Sequence, residues 1–520
     1  MTSVDQLGGD IEPETSGEAM EIELKFRMPP GAAEQVLQHP MLQGPERTAQ
    51  LRSVYFDTPD GALRGRGLGL RLRDTGEGFV QTVKHDDGSG GIERGEWECF
   101  TPDEALDGDA LARTPAGKAL GGRIGDLRPV FATSVERRMR VRCEGDTVIE
   151  VSFDSGEVSS GDRREPISEV ELELKEGQPA ALFDLGRQLV RATPLRLSFE
   201  SKAERGYRLS DRAALTPRTA GPIELTPDVS TAGAFRRIAL GCLAQAVGNA
   251  EILETTRRPE AVHQMRVGLR RLRAAFKAFE PMLGDDQRDG IEAELKWLAG
   301  ELDAARDLEV FVQGVFRPAA RETEDDTLAA LGRKLRQAQT RAYDRVQQAI
   351  GSDRYGVLVV ETASWIEAGA WSRSTDPKSA ALRVQPAAVF AAGALDHLRK
   401  VVRRRGRRFE QLDAVGRHKL RIRAKRLRYA TEFFDPLFPG SRRLKRRFLR
   451  ALRDMQESLG ALNDINVARS RVLRQGELEG QEIAFAAGRI VGRRETQEPR
   501  LLTEAADALE AFRSADPFWD

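Results

Sequence analysis

Cysteine is nearly absent from these 520 residues: Cys99, Cys143 and Cys242 are far apart and odd in number. That excludes a disulfide framework and a cysteine-rich zinc site, and a reducing cytoplasm is the expected setting. The five tryptophans and five tyrosines are scattered, which argues against a base-stacking platform. No apolar run approaches the ~20 residues a membrane helix needs, so no membrane partner is expected. The opening MTSVDQLGGDIEPETSG has no basic stretch followed by an apolar one, so no secretory leader is expected. Net charge is missing too, because 81 Lys+Arg balance 81 Asp+Glu.

That balance conceals two opposite halves. Residues 1–220 hold 29 basic and 39 acidic side chains, leaving 52 basic and 42 acidic for residues 221–520. Such asymmetry points to a charged partner. With 40% hydrophobic and 31% charged residues, the chain reads as soluble globular domains. Residues 1–20, acidic and rich in Gly, Ser, Thr and Pro, are expected to be a disordered tail. From 21 to 209 the pattern is period-two, as in EIELKFR (21–27), LGLRLR (68–73), GFVQTVK (78–84), RGEWECF (94–100), TVIEVSFD (147–154) and SEVELELK (168–175). DDGSGG (86–91) and DSGEVSSGDRRE (154–165) read as hairpin loops. A linker is expected over 210–227, then helices over 231–256, 260–280, 289–315, 325–349, 384–405, 413–435, 442–474 and 499–512. The predicted architecture is an α+β antiparallel barrel or tunnel domain followed by an all-α domain over 228–512 with an internal two-fold repeat.

The strands align charged residues on single faces. Glu21, Glu23 and Lys25 share one, against Ile22, Leu24 and Phe26. Arg71 and Arg73 align likewise, as do Arg94, Glu96 and Glu98, and Glu169, Glu171 and Glu173. If the apolar faces pack against helices, these rows line the inside of a closed barrel. Carboxylates are ligands for hard divalent cations such as Mg²⁺ or Mn²⁺, and Arg and Lys hold phosphate oxygens. Together they describe a site for a metal-bound polyphosphate chain.

Glu21-Ile22-Glu23-Leu24-Lys25 matches the ExExK signature of the CYTH, or triphosphate tunnel metalloenzyme, superfamily. YFDTP (55–59), LRLR (70–73), TVK (82–84), RGEWE (94–98), FATSVER (131–137), VSFDSGEV (151–158), ISEVELELKEG (167–177) and SKAERGYRL (201–209) follow in that family's order. Residues 21–209 most resemble its bacterial inorganic triphosphatase branch. The resemblance implies metal coordination by Glu21, Glu23, Asp154, Glu169, Glu171 and Glu173. It implies phosphate binding by Lys25, Arg52, Arg71, Arg73, Lys84, Arg137 and Lys202, with Glu21 and Glu23 also counted among the catalytic residues. Arg137 is followed by a second arginine, and which of the two faces inward stays open. The implied reaction is Mg²⁺- or Mn²⁺-dependent hydrolysis of inorganic triphosphate to pyrophosphate and phosphate. Long-chain polyphosphate, nucleoside triphosphate and thiamine triphosphate remain alternative substrates.

The helical half matches itself. HQMRVGLRRLR (263–273) realigns with HKLRIRAKRLR (418–428), and LKWLAGELDAARDLEV (295–310) with LRDMQESLGALNDINV (452–467), setting Arg306 opposite Asn463. His263, Arg266, Arg270 and Arg273 lie on one helical face, as do His418, Arg421, Lys425 and Arg428. Duplicated basic stripes suit a polyanion, and His263 and His418 are candidates to titrate near neutrality. This half resembles the CHAD domain, which implies binding of inorganic polyphosphate by these residues together with Arg306 and Arg426. Arg403 to Arg405, Arg407 and Arg408 are expected to extend the same groove. Association with polyphosphate granules is a further implication. A non-catalytic or weakly catalytic polyphosphate-binding protein is the alternative to an enzyme, and nucleic acid is disfavoured for want of interleaved aromatics.

Overall fold

The structure, a computed structural model, describes residues 19–29, 31–85, 92–322, 326–440, 442–473, 488, 491–492 and 496–519, with side chains omitted at 19–21, 93–94, 322 and 466–473. The expected tail at 1–18 and the loop at 86–91 lie outside the described residues. The chain divides at Thr216/Pro217 into two units. Among the described residues no helix is long and apolar enough to cross a membrane.

The first unit is built on β1 (Ala19–Arg27), β2 (Glu46–Asp57), β3 (Leu68–Asp74), β4 (Phe79–His85), β5 (Glu93–Thr101), β6 (Arg128–Glu144), β7 (Thr147–Ser160), β8 (Arg163–Glu176) and the short β9 (Arg196–Leu197). Their order is β5-β4-β3-β2-β6-β7-β8-β1-β9, and β5 also pairs with β1, so eight antiparallel strands close on themselves. Period-two alternation then sorts side chains inside and out. Leu24, Phe26, Val170 and Leu172 face outward and are buried under the helix Pro179–Ala192, whose Gly186 lies close to Leu24 and Phe26. Leu68, Leu70 and Val83 are covered by Leu111, Ala116 and Leu120 of two short helices.

The expected loop at 154–165 is largely strand. Residues 154–159 pair with both β6 and β8, Ser160 pairs with β8, and only Gly161 and Asp162 form the turn. Ser and Gly suit this stretch because a Cβ at Gly156 would stand 2.0 Å from the Ser134 carbonyl oxygen. The helix Lys202–Ser210 begins at a capping box, with Ser201 accepting from the Glu204 amide and Glu204 from the Ser201 amide. It packs on β6 and β7.

The second unit is helical. The two basic sequences fall on Pro259–Ala278 and Ala414–Phe434, each followed by a long helix, Asp286–Phe311 and Arg442–Leu473. Leu269, Leu272, Phe276 and Phe279 are all buried. Phe279 stacks on Phe390 at 5.1 Å and meets Phe434 edge-on at 5.5 Å, tying the two basic helices together. Arg271, also buried, crosses to Glu432 at 3.2 Å and covers the Phe433 ring. The helix Asp353–Ala368 was not expected from periodicity, because it is buried on nearly every side and carries no polar stripe.

Gly268 lets Pro259–Ala278 approach the helix Thr231–Thr255 backbone to backbone. A Cβ there would meet the Ala246 amide nitrogen at 2.9 Å and the Cys242 carbonyl oxygen at 3.0 Å. Gly→Ala in a helix ordinarily stabilises by about 0.5–1 kcal/mol. Here the contact reverses the sign, and Gly268→Ala is expected to lower the urea midpoint of the helical unit. A raised midpoint would show that this glycine does not set the helix spacing.

Candidate functional site

Inside the barrel, β7 and β8 place Asp154 opposite Glu169. With Glu171 they form a trio whose carboxylate oxygens lie within 4.8 Å of one another. Lys202, the first residue of its helix, puts Nζ among them, 2.7 Å from Asp154 Oδ2, 2.8 Å from Glu171 Oε1 and against Glu169. From another side Arg137 donates Nε and Nη2 to Asp154 at 2.7 and 2.6 Å and Nη2 to Glu171. Arg137 is therefore the inward arginine, whereas Arg138 bonds Glu46 on the outside.

Burial would raise the Glu171 carboxyl, but Lys202, Arg137 and Lys25 overcome it and hold it well below the usual glutamate range. Burial likewise opposes the Lys202 charge, and Glu169, Glu171 and Asp154 reverse that and push it up. Glu169 is 1% exposed, with Lys202 against Oε1 and Arg205 3.7 Å from Oε2. Three carboxylates brought this close, two of them almost fully buried, are a donor set that fits a hard divalent cation.

Facing the trio is a cationic row. Arg71 lies 3.5 Å from Glu96 and 3.9 Å from Glu98, and Lys84 lies 3.2 Å from Glu96. Arg73 differs from them: it reaches only the Ser53 hydroxyl, at 3.3 Å, and no described carboxylate pairs with it. Burial, with Arg71 and Arg137 nearby, lowers its pKa to about 10. Lys25, 5% exposed, stands opposite Glu171, and Glu23 stands opposite Glu173. Glu173 itself bonds Lys175 rather than joining the trio. The side chains of Glu21 and Arg94 lie outside the described residues.

Arg52 is a correction. Its register partners are Asp74 and Ser134, while Arg73 pairs with the adjacent Ser53, so Arg52 projects from the outer face and is exposed. The sequence reading also missed Arg205, buried beside Glu169, Glu165 and Glu200. Its position one turn after Lys202 on the same helix was the available signal.

In the helical unit the two basic stripes converge. Arg270, Arg421, Arg428 and Arg266 all act on the Lys425 amine, and burial followed by these four lowers its pKa to about 7. Among the described residues the Nε atoms of Arg270, Arg273 and Arg421 are buried without hydrogen-bond partners. Arg266 is already paired, with Asp303 at 2.6 Å and Asp307 at 3.8 Å, and Arg428 lies 3.4 Å from Glu432. His263 departs from the expected titration near neutrality. Burial, then Arg306, Arg270 and Arg266 against an opposing Glu260, drops it to about 4. His418 has different company, with Nδ1 2.7 Å from Asn463 Oδ1. Arg426 does not join the cluster, for it is exposed and lies with Arg423 on the other side of its helix.

A family model described as the CYTH domain matches residues 19–207, and one described as the CHAD domain matches residues 237–473. The curated inorganic triphosphatase of Haemophilus influenzae (strain Rd) is 31% identical over 175 residues, 32% of this chain. The match takes in 47% of that protein, less than half its length. The crystal structure of the CHAD domain from the plant Ricinus communis aligns with TM-score 0.50 and 30% identity, covering 58% of this chain and 99% of that one.

Removing Lys202 would leave three buried carboxylates short of a counter-charge, at a cost of about 3–5 kcal/mol. Lys202→Met is therefore expected to unfold at lower temperature at neutral pH, and Mg²⁺ or Mn²⁺ to restore its melting temperature more than they raise that of the wild type. The folded state binds fewer protons than the unfolded chain near the depressed Glu171, so that stabilisation is complete above the ordinary value of 4.5 and is lost as pH falls below it. Thermal melts with and without cation, at neutral and acid pH, provide the check.

Proposed function

The chain is a CYTH-domain protein that also carries a CHAD domain, and from that premise we propose that its barrel hydrolyses inorganic triphosphate to pyrophosphate and phosphate. The observation that supports this most is the confrontation inside one lumen of a carboxylate trio and an arginine, Arg73, that pairs with no carboxylate among the described residues. Asp154, Glu169 and Glu171 would hold Mg²⁺ or Mn²⁺, and Glu21 and Glu23 are proposed to complete the acidic set. When bound, such an ion offsets charge on the transferring phosphoryl group.

The chain's own residues do the rest. Arg73, Arg71, Lys84 and Lys25 bind phosphate oxygens and spread the charge that develops as the terminal P–O bond breaks. Arg137 fixes Asp154 and Glu171 in place through its two-pronged contact. A lumen carboxylate orients the attacking water, and the enclosed barrel strengthens each of these interactions by limiting solvent.

The helical unit is proposed to hold long-chain inorganic polyphosphate across the cluster formed by His263, Arg266, Arg270, Arg273, Arg306, His418, Arg421, Lys425 and Arg428. Buried Nε donors of Arg270, Arg273 and Arg421, without hydrogen-bond partners among the described residues, support a ligand rich in acceptors. The protein is proposed to act in the cytoplasm.

In the full chain, Glu169→Gln with Glu171→Gln is expected to lower metal-dependent phosphate release from triphosphate by about a thousandfold or more, roughly 4 kcal/mol of barrier. Arg73→Gln is expected to raise KM and lower kcat together, since that side chain is assigned both to ground-state binding and to the charge that develops. Turnover on triphosphate, long-chain polyphosphate, ATP and thiamine triphosphate fixes the substrate, and an unchanged rate in the double variant would falsify the site. For the helical unit, the expected pH dependence follows from Lys425, whose folded value of about 7 lies below its ordinary 10.5. Between these values the unfolded chain holds a proton that the folded one lacks, so the cluster costs stability increasingly as pH falls through that window. A bound polyanion favours the charged amine and takes a proton up, so affinity should fall as pH rises above about 7. Lys425→Arg should flatten that dependence, measured by polyphosphate titration across mildly acidic to alkaline pH.

A further inference from the structure

The helix Ala414–Phe434 carries a second cationic face. Arg421, Lys425 and Arg428 succeed one another by four and three residues and look toward the first basic helix. Lys419, Arg423 and Arg426 succeed one another by the same steps about 160° around the axis, at 3.6 residues per turn. The expected single groove is thus two surfaces, because Arg404 and Arg405 of the helix Ala387–Gly406 stand with Arg423 and Arg426. Burial, then Arg405, Arg426 and Arg404, lowers the pKa of Arg423, and no carboxylate opposes them. Nη1 of Arg423 is buried without a hydrogen-bond partner, while Arg404, Arg405 and Arg426 are exposed.

Some surface arginines elsewhere on this unit find carboxylates: Arg354 with Glu294, Arg500 with Glu504, Arg513 with Glu510. Among the described residues none pairs with Arg404, Arg405, Arg423 or Arg426. Like charges gathered without counter-charges oppose folding and attract a polyanion. Guanidinium groups favour phosphate oxygens, and no exposed aromatic among these residues offers a base a stacking surface.

We propose that Arg404, Arg405, Arg423 and Arg426 form a second inorganic polyphosphate site, separated by one helix from the cluster around Lys425. The helical unit then grips two polyphosphate segments at once and can bridge two chains or hold one that folds back. Helix thickness, about 10–12 Å with side chains, keeps the two segments apart, so occupation of one face leaves the other open. This rests on the polyphosphate reading of the helical unit.

The test is a two-chain capture with the full-length protein. Biotinylated polyphosphate on a surface retains the protein, and fluorescent polyphosphate is then offered from solution. Wild type should capture the fluorescent chain. R404Q/R405Q/R423Q/R426Q should still be retained but lose second-chain capture by about tenfold or more, since four phosphate contacts are removed. R404Q/R405Q/R426Q, which spares the half-buried Arg423, should show the same loss and guards against misfolding as its cause. Wild type that holds the first chain and never a second overturns this inference alone. Wild type that holds neither overturns it together with the reading on which it rests. Undiminished capture by both variants, or duplex DNA of equal charge displacing the fluorescent chain, overturns the assignment to these arginines or to polyphosphate.

Discussion

Eight strands closed into a ring turn the inward half of each alternating pattern away from bulk solvent, and around Asp154, Glu169 and Glu171 that half is charged. The carboxylates of Asp154, Glu169 and Glu171 must therefore be balanced where they stand, by Lys202 and Arg137. Much of the surrounding structure serves this requirement. The capping box at Ser201 and Glu204 fixes the helix start that delivers Lys202. The long β6–β7–β8 meander brings Arg137, Asp154 and Glu169 into one register row. The outward apolar faces, covered by helices, supply the burial that holds such a polar interior together.

The helical unit meets its charges differently. Its acidic residues neutralise some arginines, Arg266 and Arg271 among them, and leave others crowded. Burial and mutual repulsion make the Lys425 amine and the His263 ring easier to deprotonate, the opposite of the effect on Lys202. In the barrel, cations are held by anions already present. In the helices, uncompensated cations stand ready for anions from outside.

The alternation of strands made most of the lumen legible. Arg71, Arg73, Lys84, Glu96 and Glu98 share a face because they share a parity with their register partners. Arg52 escaped because a one-residue difference in parity reverses a side chain, and only pairing with Asp74 and Ser134 reveals which parity applies. Helical spacing identified the stripes of Arg270 and Lys425 but could not place Arg403 to Arg405, since consecutive residues point about 100° apart. The helix Asp353–Ala368 was hidden by its own burial, which erases the polar stripe that marks a surface helix. The alignment that set Arg306 opposite Asn463 marked where the two copies differ, and the structure puts His263 beside Arg306 and bonds His418 to Asn463.

The placement of Lys202 changes what it means for a cation to enter the barrel. An ammonium tethered among three carboxylates is an internal counter-ion, so arrival of a divalent ion is an exchange rather than an addition. The helix start is held by its cap, so the exchange must come from rotation of a flexible four-carbon stem rather than from movement of backbone. An amine displaced in this way would stay within reach of whatever anion the cation brings with it.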